Sequence, residues 1–177
     1  ALSSTQVKSL TSTQLGQLSS TQLGYLTSTE VQSLSLEQVK ALNSTFIQKL
    51  SSTGFSGLSA TQLGTLTTGS LQGLTTDQAV ALTSTTLRGL TGDQLSSLTS
   101  TALQAIETTD LATLTKAQVS DLSSTQLNLL TTSQIGAIAT DAVAVMQTAQ
   151  VVGLSSTQLN ALGSNQVRAL SAAQIQS

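Results

Sequence analysis

The chain has 177 residues, of which 8% are charged and 2% aromatic, and its formal net charge is −2. The lack of a basic cluster and of aromatic stacking platforms argues against nucleic-acid binding. No run approaches the roughly 18 apolar residues that a membrane span requires. Cysteine is absent, so disulfides are excluded and the redox compartment stays open.

The whole chain is a tandem repeat of eight residues, which occurs 22 times from Leu2 to Ser177 without insertion or deletion. The first position is Leu in 19 copies, and the sixth is large and apolar in every copy except the one with Ala79. The other residues at the first position are also large and apolar: Ile106, Ile138 and Met146. So strict a period predicts a stack in which each unit buries its apolar face against its neighbours.

Each octet carries the signature of a helix start. In the first copy, Ser3 followed by Gln6 forms a capping box, and Leu2 and Val7 have the spacing of a hydrophobic staple. The second position is Ser, Thr or Asn in 18 copies, and the fifth is Gln in 14. We therefore predict one helix of about a turn and a half per octet, followed by a bend.

The charged residues support this helical register. A helix dipole favours acids in the first turn and bases in the last. Twelve of the fourteen charges obey this rule, and Lys116 and Asp121 are the exceptions. The acids lie at the second, fourth or fifth position: Glu30, Glu37, Asp77, Asp93, Glu107, Asp110 and Asp141. The bases lie at the seventh or eighth: Lys8, Lys40, Lys49, Arg88 and Arg168.

Two rival architectures fit the pattern less well. In a β-solenoid the apolar positions, five and then three residues apart, would point to opposite faces of a strand. In one continuous helix the apolar pair would precess by about 80° per octet. Short capped helices remain, and the absence of Pro agrees with a helix that restarts in every octet.

Two irregularities leave alternatives open. Glycines concentrate at the seventh and eighth positions, where they either relax the bend at the helix end or let neighbouring helices pack closely. The fifth-position Gln is replaced by Phe46, Gly54 and Ser70 in copies six, seven and nine, and copy eighteen carries Ala139 and Ala142. We interpret these copies as drift that packing tolerates rather than as a binding patch.

The sequence offers no recognisable catalytic, cofactor or metal site. Without His or Cys it lacks the usual zinc and haem ligands and an activated nucleophile. Glu107 and Asp110 are the closest acidic pair, and we interpret them as helix-start charges rather than as an acid/base or calcium pair. Gly54 and Gly57 do not form a phosphate-binding loop, and the sequon at Asn43 is one that a Ser/Thr-rich repeat produces by chance.

The phrases LSSTQLGQL, LTTSQIGAI and LSSTQLNAL resemble octapeptide arrays in very large secreted bacterial proteins, some of them adhesin-like or labelled as haem-utilisation proteins. The resemblance covers the whole chain. It implies export, a cell-surface or matrix setting and the role of a stalk or filament. It does not imply haem binding for this chain, because Tyr25 and Met146 are isolated.

We therefore expect an all-α solenoid, a superhelical rod of 22 short capped helices, that forms a single domain over residues 1–177. The expected function is that of a non-enzymatic structural repeat protein in an extracellular filament or rod. The expected partners are other copies, stacked head to tail or laterally, or further octets of the same chain. Both terminal octets are ordinary copies, which makes continuation of the array an expectation.

The alternative is a binding module whose repeated hydroxyls adsorb ice or surface polysaccharide. Ser and Thr at the third and fourth positions are its candidate residues: Ser4, Thr5, Ser12, Thr13, Ser20 and Thr21. We expect neither nucleic acid nor a membrane span, no cofactor, and a location outside the cell.

Overall fold

The computed structural model describes residues 2–176, and helices are the only regular secondary structure in that range. Each octet contributes one helix of four to six residues, numbered by its octet. The helices are α1 (Ser4–Ser9), α2 (Ser12–Gly16), α3 (Ser20–Gly24), α4 (Ser28–Gln32), α5 (Leu36–Lys40), α6 (Ser44–Lys49), α7 (Ser52–Phe55), α8 (Ala60–Thr65), α9 (Thr68–Leu71), α10 (Thr76–Val80), α11 (Ser84–Leu87), α12 (Gly92–Ser96), α13 (Ser100–Ala105), α14 (Thr108–Leu111), α15 (Lys116–Asp121), α16 (Ser124–Leu129), α17 (Thr132–Ala137), α18 (Thr140–Val143), α19 (Thr148–Val152), α20 (Ser156–Ala161), α21 (Ser164–Ala169) and α22 (Ala172–Ile175).

The helices begin where the capping boxes predict. At the start of α3, Ser19 has an extended backbone with φ −66° and ψ 158°. Its hydroxyl oxygen accepts from the Gln22 backbone N–H at 3.3 Å, and Gln22 Oε1 accepts from the Ser19 N–H at 2.8 Å. These bonds satisfy amides that a helix start leaves without partners. The same reciprocal pair recurs in most octets, so the prediction is confirmed. Four helices, α14, α18, α19 and α21, begin without a side-chain cap bond, at Glu107, Ala139, Gln147 and Gly163.

The first and sixth octet positions form one core along the array. Their side chains are buried in a single cluster that extends from Val7 to Leu154. Full burial of such a side chain stabilises the fold by about 1.5–3 kcal/mol. In the last three octets, Leu159, Val167 and Ile175 are 39%, 44% and 63% exposed, because no later described helix packs over them.

The helices stack with a spacing of three octets. Each helix packs chiefly against the helices three octets before and after it, as α5 does against α2 and α8. We call three consecutive octets, such as residues 26–49, a layer. This regular packing agrees with a repeat solenoid, and the absence of strands in residues 2–176 leaves no place for the rival β-solenoid.

Most glycines late in the octet serve close packing, and Gly16 and Gly24 are the exceptions, because a Cβ atom there would meet no close neighbour. No residue within 2–176 has a positive φ, so the bends need no left-handed conformation. A Cβ atom at Gly57 would overlap the Ser28 backbone, and one at Gly73 would overlap the Ser44 backbone. In both pairs the glycine lies two residues after the end of one helix and meets the first residue of the helix one layer earlier. Of the two alternatives for these glycines, the structure supports close approach.

Removal of one whole octet, residues 122–129, should leave a folded and shorter array, because every later helix again finds a partner three octets away. Removal of residues 122–125 alone should be far more damaging, because it joins a bend to the middle of a helix. Far-ultraviolet circular dichroism and thermal denaturation compare the two deletions. Equal damage from both would contradict the octet as the structural unit.

The core and the caps should differ in their contributions to stability. Leu23→Ala should lower the free energy of unfolding by about 2–5 kcal/mol, because it leaves a cavity in the core. Joint replacement of Ser19 and Gln22 by Ala should cost about 1–2 kcal/mol, the scale of a lost cap. Urea denaturation measures both, with Thr21→Ala at an exposed position as the control. A control as destabilised as the cap variant would refute the cap assignment.

Candidate functional site

The fifth octet position carries a side chain that bonds in two directions. In α17, Gln134 is 2% exposed. Its Oε1 accepts from the Thr131 backbone N–H at 3.0 Å, which closes the capping box. Its Nε2 donates to carbonyl oxygens of an earlier layer, Leu103 and Gln104 at 3.1 Å and Ile106 at 2.8 Å. The buried carboxamide is therefore satisfied on both sides, in a place where an unpaired polar group would be costly.

The acceptors of this bond lie at the end of another helix. Leu103 and Gln104 belong to the last turn of α13, and Ile106 follows that helix directly. A helix leaves its last four carbonyl groups without intrahelical donors. Gln134 thus caps the start of α17 and the end of α13 with a single side chain.

The same contact recurs along the array, and we call the set the glutamine ladder. A typical rung joins a fifth-position Gln to carbonyl groups 28 and 31 residues earlier, as Gln94 joins Leu66 at 2.6 Å and Leu63 at 3.1 Å. Gln62 bonds to the carbonyl groups 28 and 30 residues earlier. Gln126 donates instead to Ser96, 30 residues earlier. The rungs come from Gln38, Gln62, Gln78, Gln94, Gln118, Gln126, Gln134, Gln150, Gln158, Gln166 and Gln174.

The ladder has gaps where another residue replaces Gln. Ser70 forms a short rung, because its hydroxyl donates to the Leu42 carbonyl at 2.5 Å. Glu30 keeps the capping bond to the Thr27 N–H at 2.8 Å, but an ionised carboxylate has no proton to donate. Within residues 2–176, the remaining substituents make no side-chain bond to the carbonyl 28 residues earlier: Phe46, Gly54, Thr86, Ala102, Asp110 and Ala142. Of the copies that we interpret as drift, six, seven and eighteen are thus gaps in the ladder, and copy nine keeps a short rung through Ser70.

The acidic pair of octet 14 is divided between two roles. Glu107 occupies the cap position of α14 but makes no side-chain cap bond. Asp110 accepts a hydrogen bond from the Ser84 hydroxyl at 2.6 Å, one layer earlier. In the described part of the chain no three His, Cys, Asp or Glu residues are grouped so that they could hold a metal ion.

The other residues considered for chemistry lie apart. Tyr25 is 73% exposed near the beginning of the chain, whereas Met146 is 5% exposed in the core. Asn43 caps α6 by accepting from the Phe46 N–H at 2.9 Å, so its amide oxygen has a local structural role. Lys116 and Asp141 form an exposed ion pair at 3.6 Å, of a kind that contributes little to stability.

The surface hydroxyls follow the helix stacks. Thr5, Thr13 and Thr21 are exposed, but their octets belong to three different stacks of one layer. Threonines that share one stack are spaced one per layer, as in Thr5, Thr29 and Thr53 of α1, α4 and α7. Any rank of hydroxyls therefore runs along a stack rather than along consecutive octets.

Together these features define an all-helical repeat protein whose layers are joined by a polar ladder. A family model described as the ALTTAQ repeat matches residues 103–140 and 143–177. Two matches placed end to end agree with a tandem array. The comparison with curated proteins found no match. Among residues 2–176, no helix has the length and apolar character needed to cross a membrane.

One signal in the sequence points to the second role of Gln. Glu serves equally well in a capping box, as Glu30 shows, and the helix dipole favours an acid there. Yet the fifth position is Gln in 14 octets and Glu in one. This preference indicates a need for a donor as well as an acceptor. The identity of the acceptors follows only from the stacking of layers.

Gln134→Glu separates the two roles, because the new carboxylate keeps the capping acceptor and loses the donor. We expect it to lower the free energy of unfolding by about 1–3 kcal/mol or more, since a buried charge would face carbonyl oxygens. The loss should shrink as the pH falls, because protonation restores a donor. Chemical denaturation at neutral and acidic pH measures both effects.

Gln14→Glu is the matched control, because Gln14 is exposed and makes only capping-box bonds within the described chain. At a protein concentration where the chain is monomeric, we expect its effect to stay within about 0.5 kcal/mol. Equal losses in the two variants would show that the cross-layer bond contributes nothing.

Proposed function

We propose that the protein is a non-enzymatic structural component, a superhelical rod or filament outside a bacterial cell. It would serve as a surface appendage, a matrix fibre or an adhesin stalk. The observation that carries the proposal is the repeated interface between layers, where the same apolar positions recur from one layer to the next and most octets add the same carboxamide bond. The resemblance to octapeptide arrays of large secreted bacterial proteins supports the extracellular location.

A repeated interface suits a molecule whose function depends on length. Each layer meets the next through side chains at fixed octet positions, so one more layer adds the same core, together with a rung wherever the fifth position is Gln. Stability in such an array is the sum of unit and nearest-neighbour terms. Extension therefore requires no new kind of contact, which favours a rod over a closed globular domain.

The outer faces of the first and last described layers carry the groups that meet between layers inside the array. In the first layer, Gln6, Gln14 and Gln22 are exposed. In the last layer, Leu159 and Val167 line an open apolar groove of about 450 Å³. A second copy stacked head to tail, or further octets of the same chain, would bring these two faces together. Lateral contact between rods is the other mode of self-association.

The test is self-association of the 177-residue polypeptide. Light scattering should detect species above 18.0 kDa whose share rises with concentration, and electron microscopy should show thin filaments. The triple variant Gln6→Glu, Gln14→Glu, Gln22→Glu keeps the capping acceptors but removes the donors of one face. It should weaken association by about tenfold or more, because each lost bond contributes.

The matched control adds the same charge at exposed positions of the same layer, through Thr5→Glu, Thr13→Glu and Thr21→Glu. The chain already carries Glu37 at this octet position, so the substitutions suit the helix. A monodisperse 18.0 kDa monomer at high concentration would overturn head-to-tail stacking. If both triple variants weakened association equally, charge repulsion would explain the loss, and the glutamine donors would have no part in the contact between copies.

A second candidate function is adsorption of ice or polysaccharide by the exposed hydroxyls. It is favoured by Thr5, Thr29 and Thr53, which repeat once per layer along one stack. An ice-recrystallisation assay and a glycan array test it directly. Absence of activity in both at micromolar protein would remove this candidate.

A further inference from the structure

The rungs of the glutamine ladder are unevenly distributed, and we infer that the array opens unevenly as a result. The segment 27–82 opens first, and the segment 87–146 holds longest. We call these the sparse segment and the dense segment. The inference concerns local opening of the folded chain and is independent of where the protein acts.

The dense segment accepts rungs at almost every octet. From Gln118 onward, seven of the eight octets donate from their fifth position, and Ala142 is the exception. Their acceptors extend from Leu87 to Met146. Each layer in this part of the chain is thus bonded to the next by side chains as well as by core packing.

The sparse segment has fewer rungs. Between Leu34 and Leu66, carbonyl groups accept from Gln62, Ser70, Gln78 and Gln94. In the described chain no side chain donates to the first-position carbonyls of Leu26, Leu58, Leu74 and Leu82. The fifth positions 28 residues later, where a rung would begin, are Gly54, Thr86, Ala102 and Asp110. At Gly54 a Cβ would lie 2.5 Å from the Leu26 carbonyl oxygen, so the backbones approach each other there without a donor side chain.

Apolar packing is similar in the two segments. The sparse segment has the small Ala79 at one sixth position and an additional buried ring, that of Phe46. The first and sixth positions are buried in both, and fully buried large side chains occur in each, such as Phe55 and Leu71 in one and Leu103 and Leu127 in the other. The difference therefore lies in the directional bonds between layers. Each such bond shifts a local opening equilibrium by about twofold to tenfold, and bonds in one cooperative unit act together.

Hydrogen exchange of the intact chain, followed by mass spectrometry, tests the inference. After correction for intrinsic rates, backbone amides of the dense segment should exchange about tenfold or more slowly than those of the sparse segment. The outermost layers are left out of the comparison, because their outer faces are open. Equal protection of the two segments, or faster exchange in the dense one, would overturn the inference.

Thr86→Gln should add the missing rung to Leu58. Thr83 already caps α11, and its backbone N–H, which donates to Thr86 Oγ1 at 2.8 Å, would donate to Oε1 of the new Gln and leave Nε2 free to reach Leu58. Exchange of amides in residues 55–90 should slow by about threefold to tenfold. The control is Thr85→Gln, one position earlier at an exposed site, which should leave exchange unchanged. Identical effects of the two substitutions would show that the rungs do not govern opening.

Discussion

A helix of four to six residues can satisfy almost none of its backbone hydrogen bonds by itself, and this constraint shapes the rest of the structure. A helix start leaves four amides and a helix end four carbonyls without intrahelical partners. In an array of such helices nearly every backbone group lies within a turn of an end. The fold therefore depends on side chains that bring both donors and acceptors to those ends.

Ser or Thr at the second position and Gln at the fifth meet this need. The hydroxyl accepts at the helix start, the Gln oxygen accepts beside it, and the Gln nitrogen donates to the end of an earlier helix. A carboxamide combines the two roles, whereas a carboxylate lacks the donor and an ammonium lacks the acceptor. The bond is buried, so water does not compete with it, and its loss exposes a carbonyl to an apolar surrounding.

The part of this arrangement that lies within one octet can be predicted from the sequence. Ser3 and Gln6 predict a helix start, and Leu2 and Val7 predict the two apolar positions of the octet. The structure confirms the register of both patterns. The spacing of three octets between stacked helices cannot be predicted from the sequence, because it depends on the angle of each bend and not on the eight-residue period. Without it, neither the partners of Gln38 nor the reason for Gly73 can be derived. For the same reason, the sequence alone does not decide whether the late-octet glycines relax the bend or allow close packing.

The separation along the chain between the two residues that a rung joins has a consequence for folding kinetics. Gln38 bonds to Leu10, so the first rung closes only when a segment of about thirty residues has ordered. Formation of the first two layers is therefore the slow, entropically costly step, comparable to the nucleus of a helix–coil transition. Every later octet then orders eight residues against a surface that already exists. Folding should spread from any completed pair of layers in both directions, at a rate that hardly depends on the total length of the array.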